Sequence, residues 1–337
     1  MKISLYFICL FFLHSCNVKT SVTYVDIERT PLTEVKTDTV KMNEVLRPLS
    51  MYPFKEWLIL INMDSDTDSP LFIYDTDSLK FCFAAGKSGR GPGEFFYINP
   101  YYFNKTDTSF FINTNHFLET EISAYKDSIK IGKSKVILDN PANNLLKIND
   151  SLFFFENKMK QFEYSIYNTN KKGKEKDFSD FPTSKISYQA NDDRDNIYQK
   201  TCLYHKDKKS IVSFYLNVPL VRIYDDRYKL VKEIKLKNIE ESPLTMEEFY
   251  NDKGKLYFSC PYSTSSKIYV LFDNETLAST YQSSDSELQV WNWNGELEKR
   301  YHFTCKFDIF TISDDGQTLY GLNTQEENFY FIKAALE

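Results

Sequence analysis

Residues 288–303, LQVWNWNGELEKRYHF, decide the fold. The stretch opens on an apolar, tryptophan-rich run, turns at Asn294-Gly295, and returns as a charged strand ending at Phe303. Asn-Gly suits a two-residue hairpin because both residues tolerate positive φ. Aromatic and β-branched residues favour pleated, half-buried surfaces, so the two arms read as paired strands.

The same theme recurs on either side. Downstream, residues 307–312 lead through Asp314-Asp315-Gly316 to residues 318–322 and 329–333. Just upstream, residues 256–258 and 268–272 precede the quoted hairpin. Further back, 210–214 lead to 220–224, the turn Asp225-Asp226 and 228–236; 152–155 lead to 162–167 and a polar strand ending near Phe178. Residues 110–112, 121–125 and 128–131 turn at Lys126-Asp127, and 57–61, 71–74 and 79–83 turn at 75–78. Six such units at an uneven spacing of roughly 40–60 residues match four-stranded blades with variable loops. The expected fold is therefore all-β: a six-bladed β-propeller over residues 22–337. The last unit is one strand short, and residues 22–27 or 35–40 are the candidates to complete it. Pairing the two chain ends would close the ring and remove its exposed edges. A pair of β-sandwiches is the competing architecture, but no linker divides the chain.

Composition agrees. With 28 Phe and 24 Tyr but only 10 Gly in 337 residues, the chain is weighted towards sheet. No long segment has helical periodicity; the one helical turn expected follows Ser242-Pro243, where Ser suits the N-cap and Pro the first position. The net charge of −6 is mild and interspersed, so neither nucleic acid nor an anionic lipid surface is an expected partner.

The first residues, MKISLYFICLFFLHSC, carry one positive charge, an apolar run from Ile3 to Leu13 and a small residue before Cys16. That is the form of a secretory signal, and the run is about half the length a membrane span needs. Leu13-His14-Ser15-Cys16 resembles the lipobox of bacterial lipoproteins, with His14 unusual at its position. The resemblance implies a signal peptide over 1–15, a lipidated Cys16, a tether over 16–21 and a membrane partner through the lipid.

Two stretches carry a resemblance to a family. One is residues 86–95, GKSGRGPGEF, followed by Asn99-Pro100; the other is the run 267–333, with KIYVLFD, the quoted hairpin and ISDDGQTLYGLN in order. Together they resemble the TolB-like six-bladed propeller lipoproteins of Bacteroidetes, and the glycine segment resembles the inter-blade loop of NHL-type propellers. The resemblance implies the propeller fold and an outer-membrane, cell-envelope location, facing either the periplasm or the outside. It implies no activity and transfers no catalytic residues.

The candidate sites are few. Four of the ten glycines fall between Gly86 and Gly93. Their backbone N–H groups, with Lys87 and Arg90, could cradle an anion. A connector between blades with Phe95 packed beneath it needs the same glycines. Phosphate-loop and dinucleotide spacings both fail, with Phe81 and Glu94 where glycines are required. If the loop binds a ligand, Lys87, Arg90 and Glu94 are the charged tips, and Tyr97 and Tyr101 supply aromatic faces able to stack on a sugar or anchor a protein.

Asp64, Asp66 and Asp68 are spaced like the start of a calcium loop, but glycine is absent from the sixth position. A solvated turn is the expectation, and no metal or cofactor is assigned. Cys82, Cys202, Cys260 and Cys305 form no C-x-x-C pair and are read as small buried side chains rather than bridges. His116, His205 and His302 lie far apart, and no G-x-S-x-G occurs.

The resulting expectation is a monomeric, lipid-anchored, non-enzymatic propeller that binds an envelope protein, peptide or glycan. The rival is a propeller hydrolase or lyase acting on polysaccharide or a lactone-like substrate. It calls for charged side chains crowded at one tunnel mouth.

Overall fold

The computed structural model of the chain describes residues 20–337 except 45–46, 64–66, 92, 140–141, 159, 184–189, 240–245 and 325–328. The leader, Cys16, Asp64, Asp66 and the Ser242-Pro243 cap all lie outside the described residues. Six antiparallel sheets are arranged in chain order. Blade 1 comprises Pro48–Phe54, Trp57–Asn62, Leu71–Asp75 and Phe81–Ala85; blade 2, Ile98–Lys105, Ser109–Thr114, Leu118–Tyr125 and Ser128–Val136. Blade 3 is Asn143–Lys147, Leu152–Glu156, Phe162–Asn168 and Gly173–Asp180; blade 4, Lys200–His205, Ser210–Tyr215, Leu220–Tyr224 and Leu230–Leu236. Blade 5 is Lys255–Ser263, Lys267–Thr276, Ser286–Asn292 and Leu297–Phe303; blade 6 begins with Ile309–Ile312, Thr318–Asn323 and Tyr330–Ala335. The first strand of each blade neighbours the first strand of the next, and that of blade 6 meets that of blade 1. The ring is closed, and the first strands surround its axis.

The missing fourth strand of blade 6 is Asp38–Lys41, antiparallel to Tyr330–Ala335, with Val40 opposite Phe331 and Thr39 opposite Ile332. Of the two N-terminal candidates, residues 35–40 contain the closing strand. Residues 22–27 do not close the ring: Ser21–Val25 runs parallel to Leu230–Leu236 as a fifth strand on blade 4. Between them Leu32–Glu34 lies parallel to Leu297–Phe303 on blade 5. The N-terminal segment is thus a strap crossing the outer edges of three blades. Arg300 clamps it, donating to the carbonyls of Ile27 (3.1 Å) and Thr30 (3.3 Å) while forking onto Glu287 at 2.8 and 2.9 Å.

Packing between blades explains why the theme of the sequence repeats. Apolar residues on facing sheets interdigitate; between blades 4 and 5, Phe214, Ile223 and Ile234 meet Phe258, Val270 and Trp291. Gly295, in the hairpin that decides the fold, has two reasons to be glycine. Its φ is +75°, and a Cβ there would collide with the δ-methyls of Ile234 and Ile223 on blade 4. Gly295→Ala is therefore expected to lower stability by about 1–3 kcal/mol through strain and overpacking, measured by denaturant unfolding. A loss no larger than that of an exposed turn glycine would remove the packing half of this explanation.

Two expectations need correction. Only Cys202 of the four cysteines is buried; Cys305 is half-buried, and Cys82 and Cys260 are exposed, all four being free thiols. Each sits in or beside a strand, but Cys82 falls on an outermost strand with an open face. Short helices also occur beyond the one expected. Met246–Glu248 continues into a wider turn at Phe249–Lys253, while Asn191–Ile197 and Leu277–Gln282 are additional. They are too short for periodicity to reveal. Leu277–Gln282 did carry a local signal: the Thr276 hydroxyl accepts from the Ser279 N–H at 3.3 Å.

Candidate functional site

The strand registers assign every connection to one of two faces. The tight Asp- and Asn-rich turns, at 75–78, 126–127, 225–229, 293–296 and 313–317, all lie on one face, with the start of the strap at Ser21. The long connections, at 86–97, 181–199, 237–254 and 277–285, lie on the other, and the short helices at 191–197, 246–253 and 277–282 belong to them, whereas the single turn Ile27–Arg29 belongs to the strap.

On this second face a recess of about 490 Å³ opens between blades 2, 3 and 4, lined by Tyr97, Asn99, Tyr101, Asn144, Glu156 and Lys200 among others. It abuts a cavity of about 510 Å³ formed by the first strands of blades 1 to 5, which is the axial tunnel. Tyr101 and Thr201 line both. Tyr101 is 53% exposed. Crowding there pushes its phenol up to about 12, first through burial and then through Cys260 and Tyr97.

The sequence candidates fall into two groups. Tyr97 and Tyr101 line the recess. Tyr97 stacks on His116 (4.0 Å, 15°), and His116 lies 5.7 Å from Phe96. Arg90 sits over the Phe96 ring at 5.8 Å, so a run of rings leads from the glycine loop to the recess. Lys87 and Glu94 do not line it. They pair with each other at 2.6 Å, and the second oxygen of Glu94 accepts the Gly91 N–H at 2.8 Å. The loop's own carboxylate thus takes a backbone N–H that an anion cradle would offer. Phe95 is buried beneath the loop, its N–H bonded to the Lys87 carbonyl at 2.8 Å.

Lys87, then the Gly91 N–H, hold the Glu94 carboxyl below its ordinary value of 4.5. The folded value lies below the unfolded one, so this latch is fully present above pH 4.5 and is lost as pH falls through the lowered value. The protection of the Gly91 amide against exchange is expected to fall on acidification below pH 4.5, and Glu94→Gln should reproduce that fall at neutral pH. Identical protection in the variant would show that the backbone alone holds the loop.

Beneath the recess lies a buried polar network that no motif announced. Glu163, fully buried on blade 3, accepts from Lys200 (2.9 Å), Arg222 (3.0 Å), Tyr215 (2.7 Å) and Ser179 (2.9 Å). Lys200 also reaches Glu156 (3.1 Å), whose other oxygen accepts from the Asn144 amide at 2.5 Å. Burial opposes the Lys200 charge, but Glu163 and then Glu156 outweigh it and raise its pKa above the ordinary value. Arg222 forks onward to Glu233 through Nε (3.0 Å) and Nη2 (2.9 Å). At the rim Asp195 is paired with Arg194 at 3.0 Å. Glu163 sits between Phe162 and Tyr164, so alternation alone assigns it to solvent, and its partners are 37 and 59 residues away.

Among the described residues, no group of three or more His, Cys, Asp or Glu side chains could hold a metal ion. No helix among them is long and apolar enough to cross a membrane.

The TolB-like 6-blade propeller-like family matches residues 29–315. The chain belongs to this family. Blades 1 to 5 lie wholly within the match, as does the closing strand. The solved structure of a DUF4221-family protein from Bacteroides vulgatus is similar to this propeller, with a TM-score of 0.55 and 12% identity over 91% of this chain and 98% of that one. At that identity the likeness is one of fold. No curated protein matches.

Proposed function

We propose that this TolB-like propeller is a lipid-anchored, non-enzymatic binding protein of the cell envelope that receives its ligand at the recess. One observation carries the reading. Of the charged groups lining the recess, Glu156, Asp195 and Lys200 are committed to structural pairs, Lys200 with Glu163 and Glu156, and Asp195 with Arg194, while Lys158 is exposed. What faces the ligand is phenol, amide and one exposed lysine, with no carboxyl left outside a pair. Such a lining suits recognition better than acid–base catalysis, which needs a carboxyl or amine poised to exchange a proton.

The anchor reading adds an orientation. Ser21 lies on the face opposite the recess, and the five residue steps from Cys16 to Ser21 reach no more than about 18 Å. Lipid on Cys16 would hold the tight-turn face against the bilayer and aim the recess away from it. Mass spectrometry of the mature N-terminus is expected to find a diacylglyceryl group on Cys16; an unmodified cysteine removes the anchor.

Binding is tested by calorimetry against soluble envelope oligosaccharides, muropeptides and lactones, with mass spectrometry of each compound afterwards. Saturable binding with the compound recovered intact is expected. Turnover that Glu156→Gln abolishes would replace this reading with the hydrolase or lyase.

A further inference from the structure

We infer that the ligand of the recess is an oligosaccharide, an inference that rests on the recess being the binding site. A pyranose presents two surfaces: an apolar C–H face and a rim of hydroxyls that both donate and accept. The recess answers each. Tyr101 offers a ring with 53% of the residue exposed, and Tyr97 stands beside it with one face already covered by His116. Phe96, 43% exposed, extends the aromatic run beyond the rim towards Arg90, long enough for a second sugar unit outside the recess.

For the hydroxyl rim, Asn99, Asn144 and Gln199 line the same space. Planar amides pair donor with acceptor and suit adjacent hydroxyls. The Asn99 side chain is fixed: its Oδ1 accepts the Tyr101 N–H at 3.0 Å, tying the amide to the ring beside it. Asn144 is fixed too, donating to Glu156 and to the Lys200 carbonyl at 2.8 Å. Groups held in place before binding lose little entropy on binding. Two lysines, Lys158 and Lys200, and two carboxylates, Glu156 and Asp195, line the recess, so neither sign of charge dominates, which favours an uncharged or weakly charged ligand over a phosphate or an acidic peptide. The volume, about 490 Å³, is that of an ordinary small-ligand site.

The test uses the full folded chain on two printed arrays, one of defined neutral and uronate-bearing oligosaccharides and one of peptides. Wild type is compared with Tyr101→Ala and Gln199→Ala, and thermal unfolding confirms that each variant is folded. Binding to oligosaccharides is expected, weakened at least about tenfold by Tyr101→Ala through loss of ring stacking. Gln199→Ala should change which sugars bind. Tyr101-dependent binding on the peptide array alone would overturn the inference and leave the recess as the binding site. Binding on neither array, or binding indifferent to Tyr101→Ala and Gln199→Ala, would overturn both.

Discussion

Glu163→Ala is expected to lower the free energy of unfolding by about 3–5 kcal/mol, the effect of removing one partner from a buried ion network. Two cations depend on that carboxylate. Lys200 and Arg222 are almost wholly buried and sit 2.9 and 3.0 Å from its oxygens. Arg222 keeps Glu233, but Lys200 would retain a single carboxylate, Glu156 at the edge of the recess, beside the Tyr198 carbonyl. The Tyr215 hydroxyl would also lose its acceptor. The sign of the effect with pH follows from Lys200. Its folded pKa is raised above the ordinary 10.5, so the contribution of its charge is complete below 10.5 and fades only as pH rises through the raised value. In the wild type the contribution of this charge should therefore be constant from neutral pH to about pH 10. Pairing Glu163→Ala with Lys200→Met should recover part of the loss, because the stranded cation is gone. Denaturant unfolding measures both. A single-variant loss below about 1 kcal/mol would mean that water enters the site and the network contributes little to the blade 3–4 interface.

The same network shows where sequence reading stops. The propeller was legible because its signals are local. Each outer hairpin ends in an Asp- or Asn-rich turn, and all of those turns lie on one face of the ring. The face that carries the recess is built from the opposite ends of the strands, where connections are long and carry no turn signature. Four first strands, Pro48–Phe54, Ile98–Lys105, Asn143–Lys147 and Lys200–His205, did not register as strands. They line the axis, so they lack a clean apolar alternation. Pro48, Pro53 and Pro100 interrupt them, and the pairings that start at Pro48, Ile98 and Asn143 are bulged. Tyr97 and Tyr101, which line the recess, stand out in the sequence as part of an aromatic cluster just after the glycine loop. Asn144, Glu156 and Lys200 do not, because their meaning lies in partners on other blades.

The largest expected effect is at the ring's seam. A chain beginning at Met42 lacks Asp38–Lys41 and leaves the edge of Tyr330–Ala335 without a partner. Phe331 and Ile332, both buried, would lose the residues opposite them. An open propeller presents a bare strand edge beside apolar surface, which is the geometry of aggregation. This chain is expected not to accumulate as a folded monomer, measured by size-exclusion chromatography and amide exchange. A chain beginning at Asp26 is the contrast. It loses Ser21–Val25, a fifth strand whose side chains are mostly exposed and whose removal leaves blade 4 with its own four. It keeps Ile27, the Arg300 clamp and the closing strand. That truncation should remain monomeric and lose on the order of 2 kcal/mol, a few net backbone hydrogen bonds offset by the freedom the strand regains. The two deletions differ by only sixteen residues, yet one removes reinforcement and the other removes closure. Equal stability in the two chains would mean that blade packing alone holds the ring and that the N-terminal seam does not.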